Sequence, residues 1–224
     1  MLIAAYALAQ VASGVALLAL AGLPLTPAAL HANLGAIESG RNVALSSAIG
    51  ELAMPVVAWL FLRKNMNAQD IRLRGLRVSD VTGGVALLLF TILLSVVFGA
   101  LLHTGDVQSQ IGVAGRLHSL WWEVPAIAVS AGVAEEIVFR GYLLEGLRRI
   151  WPRSIWPAVA VSSVAFALAH LSWGLSGLQF LFYIALGAVF ALFVLRSRSL
   201  WPAVFAHVSW DAIAFLLLYV RAGG

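Results

Sequence analysis

The chain is predicted to be all-α: a polytopic transmembrane bundle of about seven spans that encloses a polar cavity within the membrane. Three observations lead there. The 224 residues are 62% hydrophobic and only 11% charged, and mean hydropathy is +0.95. A soluble domain carries about 25% charged residues, so this chain cannot clothe a water-facing surface. Seven apolar runs approach the roughly 20 residues needed to cross a bilayer. Three of those runs nevertheless carry polar side chains at helical spacing: Glu135, Glu136 and Arg140; Phe166 and His170; His207 and Asp211. Ionisable groups in a bilayer cost several kcal/mol each and face a protein interior or a wet cavity.

The spans follow in order. Residues 2–23 lack a basic leading segment and are long enough to cross, so they are expected as a first span rather than a cleaved signal. Residues 24–42 form a polar connector with Pro24, Pro27, His31, Asn33, Glu38 and Arg41, suited to an interfacial helix. The second span, 43–62, contains Glu51, which can belong to the cavity but is expected rather to bond nearby serines or backbone freed near Pro55. The third is 83–103. The fourth, 120–147, is long and charged, and is expected to tilt or emerge from the membrane. The fifth, 157–171, is short, bounded by Trp156-Pro157 and by His170 to Gly174. Residues 178–195 and 201–220 complete the set. Without internal repeats the chain divides only loosely, into N-terminal spans and connectors (1–119) and a helical core (120–220) within one integral domain.

Basic residues set an orientation, because cytoplasmic loops are enriched in Lys and Arg. Arg63, Lys64, Arg72, Arg74, Arg77, Arg148, Arg149, Arg153, Arg196 and Arg198 fall on one side of a seven-span chain. The N-terminus is then expected in the cytoplasm of a cell-membrane protein and the C-terminus outside. Trp121, Trp122, Trp151, Trp156, Trp173 and Trp201 lie near span ends, as an interfacial aromatic belt requires. The pI near 10.1 reflects these juxtamembrane residues, so membrane lipids, and not nucleic acid, are the expected partners. No cysteine is present, which excludes disulfides, thiolate catalysis and cysteine metal sites. Glu123 and Glu145 lie near span ends and His31, His103 and His118 in connectors, where solvation is available.

At about 1.5 Å per helical residue, Glu135 and His170 lie roughly 20 Å from the basic side, Asp211 about 15 Å and His207 about 9 Å. One cavity open to the cytoplasm can hold all four. Residues four apart share a helix face, so Glu136 and Arg140 are expected to pair and shape the site. Glu135 is rotated by about 100° and stays free to act as general base. Phe166 is expected beside His170, and Asp211 is expected to orient His207 or share a ligand with it. The set is chemically sufficient for peptide hydrolysis: a carboxylate in a dehydrated pocket is a competent base. Two histidines can stabilise an oxyanion. A zinc ion held by Glu135, His170 and His207 is a weaker option, because the paired-histidine helix motif of zinc proteases is absent. Two other classes compete, a non-enzymatic membrane scaffold or immunity-type protein and an ion-coupled transporter. The second lacks the expected inverted repeats.

The motifs Glu135-Glu136-xxx-Arg140, Phe166-xxx-His170 and His207-xxx-Asp211 resemble those of the CAAX protease and bacteriocin-processing family, which includes the type II CAAX prenyl endopeptidases. The resemblance covers about 120–220. It implies proteolysis of a membrane-associated or lipidated peptide within the membrane, with Glu135 as the water-activating base and His170 and His207 as motif histidines. Family members often carry Asn at the last motif position. Asp211 departs from that pattern, and an ionised carboxylate cannot donate a hydrogen bond.

Overall fold

A computed structural model describes residues 40–62, 65–101, 111–112, 114–171 and 175–223, together with Val11, Val15 and Ala19. The expected first span and the connector 24–39, with His31 and Glu38, lie outside the described residues, as do His103 and Trp173. Every regular element among the described residues is helical: α1 (Gly40–Leu62), α2 (Val78–Gly99), α3 (Leu120–Glu135), a π-helical segment (Glu136–Leu143), α4 (Leu144–Ile150), α5 (Trp156–Ala169), α6 (Gly177–Ser197) and α7 (Trp201–Arg221).

Four of these are long and apolar enough to cross a membrane: α1 over Gly40–Leu60, α2, α6 and α7. The described residues are therefore all-helical, and their apolar helices are consistent with a membrane protein. These four are counted among the described residues and leave the expectation of seven open. The first span is not described, α5 has only 14 residues, and α3, the π segment and α4 form one charged helical run. In α2 the side chains of Leu89, Phe90, Leu93, Val96 and Val97 are exposed, as a lipid-facing helix requires. Trp121 and Trp156, 83% and 64% exposed, occupy helix starts.

Local chemistry places the helix ends. Pro157 and Pro202 sit in the first turns of α5 and α7, where a missing N–H costs nothing. The Ser176 hydroxyl accepts from the Gln179 N–H, and the Gln179 side chain accepts from the Ser176 N–H at 2.9 Å, capping α6. Glu123 is buried rather than solvated. Its Oε2 accepts from the backbone N–H groups of His118 and Ser119 at 2.8 and 2.9 Å, closing the start of α3. His118 itself stays exposed.

Charges also knit the basic side. Glu145, again buried rather than solvated, pairs with both Arg72 and Arg148. Arg72 adopts positive φ (61°), so its guanidinium also reaches the Val194 carbonyl at 3.3 Å while its own carbonyl accepts from Leu200 N–H at 3.2 Å. Arg74 grips Asp80 with two nitrogens, at 3.0 and 2.8 Å. The connector between α1 and α2 is thereby tied to α4 and to the junction of α6 and α7.

Glycines set two close approaches. A Cβ at Gly132 would lie 2.8 Å from the Val208 nitrogen, and one at Gly187 would lie 2.9 Å from Ser163 Cα. Small residues let membrane helices pack backbone to backbone, here α3 on α7 and α5 on α6. The Gly187→Val substitution should force α5 from α6 at a cost of about 1–3 kcal/mol, read as a lower thermal unfolding midpoint in detergent.

Candidate active site

The helical run from Leu120 to Ile150 changes register at its functional centre. From Glu136 to Leu143 the backbone is π-helical, a form found mostly as short bulges, frequently at functional sites. The Phe139 carbonyl accepts from the Leu144 N–H, five residues on, and also from the Ser162 hydroxyl of α5 at 2.9 Å. The widened turn is thus tied to its neighbour.

Glu136 and Arg140 form the expected pair, with Nη1 2.8 Å from Oε1 and side chains only 0% and 1% exposed. The same Glu136 oxygen also accepts from His207 Nδ1–H at 2.8 Å. One carboxylate oxygen therefore binds a cation on its own helix and an imidazole on α7. The Arg140 guanidinium lies 4.1 Å from the Phe166 ring centroid and 5.4 Å from that of Phe190, a cation–π setting that strengthens when dry.

The second histidine is held differently. His170, capping the end of α5, donates from Nδ1–H to the Phe166 carbonyl at 2.8 Å. In the neutral ring Nε2 then carries the lone pair. That atom is 3.7 Å from Glu135 Oε2, too far for a direct hydrogen bond. Tyr183 stacks on the His170 ring at 4.2 Å, and Phe166 lies against it at 4.7 Å. Asp211 Oδ2 is 3.6 Å from His207 Nε2.

All seven residues expected from the sequence are thus gathered: Glu135, Glu136, Arg140, Phe166, His170, His207 and Asp211. Sequence reasoning missed the His207–Glu136 bond, the π register, and the aromatic walls Tyr183 and Phe190. Nothing in a run of apolar residues distinguishes those two rings from packing. Glu51 follows the less favoured of its two expectations, a place at the cavity. That residue was expected to bond serines, yet Ser46 donates to the Val43 carbonyl at 3.1 Å, and no donor reaches Glu51 Oε2 among the described residues. Its interacting charges include Glu135, His207 and Asp211, so it borders the site. Among the described residues no three His, Asp or Glu side chains are arranged to hold a metal ion, and the donor set does not support Glu135, His170 and His207 as a ready zinc site.

A buried acid–imidazole cluster inside a helical membrane protein defines the class: a polytopic protein with a polar centre in its membrane-spanning bundle. Residues 116–213 match the family model described as type II CAAX prenyl endopeptidase Rce1-like. This segment is thus similar to that family, in agreement with the three motifs, and it contains all seven residues gathered above. No curated protein and no solved structure matches the chain.

The central bond network carries a stability prediction. Glu136→Leu leaves Arg140 buried without its partner and should destabilise the protein by about 3–5 kcal/mol. The double variant Glu136→Leu/Arg140→Met should recover part of that loss in thermal unfolding, since it removes the stranded charge.

Proposed function

We propose that the protein is an intramembrane endopeptidase of the CAAX type, acting on a membrane-associated or lipidated peptide. One observation carries the reading. Of two adjacent buried glutamates, both with a bare Oε2 among the described residues, Glu136 is anchored through Oε1 by Arg140 and His207, whereas Glu135 Oε2 faces only His170 Nε2, at 3.7 Å. A carboxylate oxygen left bare beside an imidazole lone pair suits the abstraction of a proton from water.

In this mechanism water gives a proton to Glu135 as its oxygen bonds to the scissile carbonyl carbon. The carbonyl π electrons move to oxygen. His207, steered through Nδ1 by Glu136, stabilises that oxyanion when Nε2 bears a proton. At 3.6 Å from this nitrogen, Asp211 orients the ring without consuming its N–H, a role open to Asp although donation is not. His170 walls the water site on the α5 side, with Nε2 3.7 Å from Glu135 Oε2. The tetrahedral centre then collapses, the C–N bond breaks, and the proton held by Glu135 passes to the leaving nitrogen. The products are a carboxylic acid and an amine.

With purified protein in lipid, a fluorogenic peptide bearing a C-terminal prenyl-cysteine should be cleaved faster than its unprenylated twin. Glu135→Ala should lower kcat by roughly 10²–10⁴-fold with the fold intact by thermal unfolding. Undiminished cleavage by this variant overturns the assignment.

The same reading sets the termini, with the basic connectors in the cytoplasm. Because the chain has no cysteine, single-cysteine labelling is clean. Arg153→Cys and Arg221→Cys, both exposed sites, should react with an impermeant maleimide from the cytoplasmic and the outer face respectively.

A further inference from the structure

We infer that Glu51 of α1, which lies outside the Rce1-like segment, holds the hydrolytic water jointly with Glu135; this rests on the hydrolytic reading above.

Placement comes first. Ala44 and Ala58, both fully buried, lie seven residues before and after Glu51, and residues seven apart share a helix face. The face opposite is lipid-exposed: Ile49, Leu52, Val56 and Trp59 are 45–55% exposed. The Glu51 carboxylate therefore points inward from α1, which packs against α3 and the π segment. Its interacting charges are those of the site, namely Glu135, His207 and Asp211.

The chemistry of the position follows. Glu51 Oε2 and Glu135 Oε2 are both buried without a donor among the described residues. Buried acceptors are nearly always paired in folded proteins, so these call for donors from outside the chain. A water molecule supplies two O–H groups on one atom. With one directed at Glu135 and the other at Glu51, its lone pairs are left for the scissile carbonyl. Glu135 takes its proton during attack and later returns it to the leaving nitrogen. Glu51 keeps its hydrogen bond throughout and exchanges no proton.

The direct test is a structure of the wild-type protein in lipid at a resolution that shows ordered water. Density within about 3.2 Å of both a Glu51 carboxylate oxygen and Glu135 Oε2, absent in Glu51→Ala, is expected. A metal ion at that place, or a hydrogen bond directly between the two carboxyl groups, overturns the proposal. Kinetics gives a second readout on the peptide used above. Glu51→Ala should lower kcat by about 10²-fold with KM unchanged, and Glu51→Gln, which keeps an acceptor oxygen, should restore much of it. Added to Glu135→Ala, the alanine at 51 should cost little more, because both act on one water. Wild-type kcat in Glu51→Ala alongside an inactive Glu135→Ala sinks this inference alone. Activity retained in Glu135→Ala sinks the hydrolytic reading itself.

Discussion

A single carboxylate oxygen organises the centre of this protein. Glu136 Oε1 takes Arg140 and His207, each at 2.8 Å. A guanidinium with 1% exposure in a membrane bundle cannot exist without compensation, and the pair supplies it only with help from neighbours. Phe166 and Phe190 provide that help by presenting ring faces to Arg140. The π segment, α5, α6 and α7 are thereby drawn to one point. Their packing is a consequence of solvating one cation and one anion in the absence of water.

This arrangement also separates two neighbouring residues of the same type. Successive residues on a helix diverge by about 100°, yet Glu135 and Glu136 are both buried, at 8% and 0% exposure. The run carrying them is enclosed on several sides, with α1 against α3 and α7 closing where Gly132 admits Val208. Glu136 meets the cation and the imidazole of α7, while Glu135 meets His170 of α5 only at 3.7 Å. Both keep a bare Oε2 among the described residues, but only Glu136 is anchored, through Oε1. Burial alone does not give that asymmetry; it comes from which helices arrive on each side.

What the sequence revealed follows the range of the interactions. Contacts four residues apart were legible, since helix geometry alone sets them: Glu136 with Arg140, Phe166 with His170, His207 with Asp211. The apolar runs of α1, α2, α6 and α7 were legible from hydropathy. The bond between His207 and Glu136 joins residues 71 apart, and no local periodicity encodes it. The π register was hidden because it depends on tertiary support such as the Ser162 hydroxyl. Glu123 and Glu145 were misread because position near a span end was taken to mean water, whereas backbone amides and Arg72 claim them.

The distribution of unsatisfied atoms weighs on the choice among enzyme, scaffold and transporter. A cluster retained only for packing gains by pairing every buried polar atom, since an unmet one costs about 1–3 kcal/mol. Here Glu51 Oε2, Glu135 Oε2 and Glu136 Oε2 lack donors, and Arg140 Nε and Nη2 lack acceptors, among the described residues. That pattern is stability forgone at one place, as at a site whose buried polar groups are completed by a ligand or water. A transport path would instead need polar groups at successive depths. The remaining buried charges are already closed into pairs on the basic side, Arg72 with Glu145 and Arg74 with Asp80, or into the cap of α3 at Glu123. Among the described residues the free valences belong to Glu51, Glu135, Glu136 and Arg140, and so localised a polar centre is suited to chemistry on a peptide brought to it.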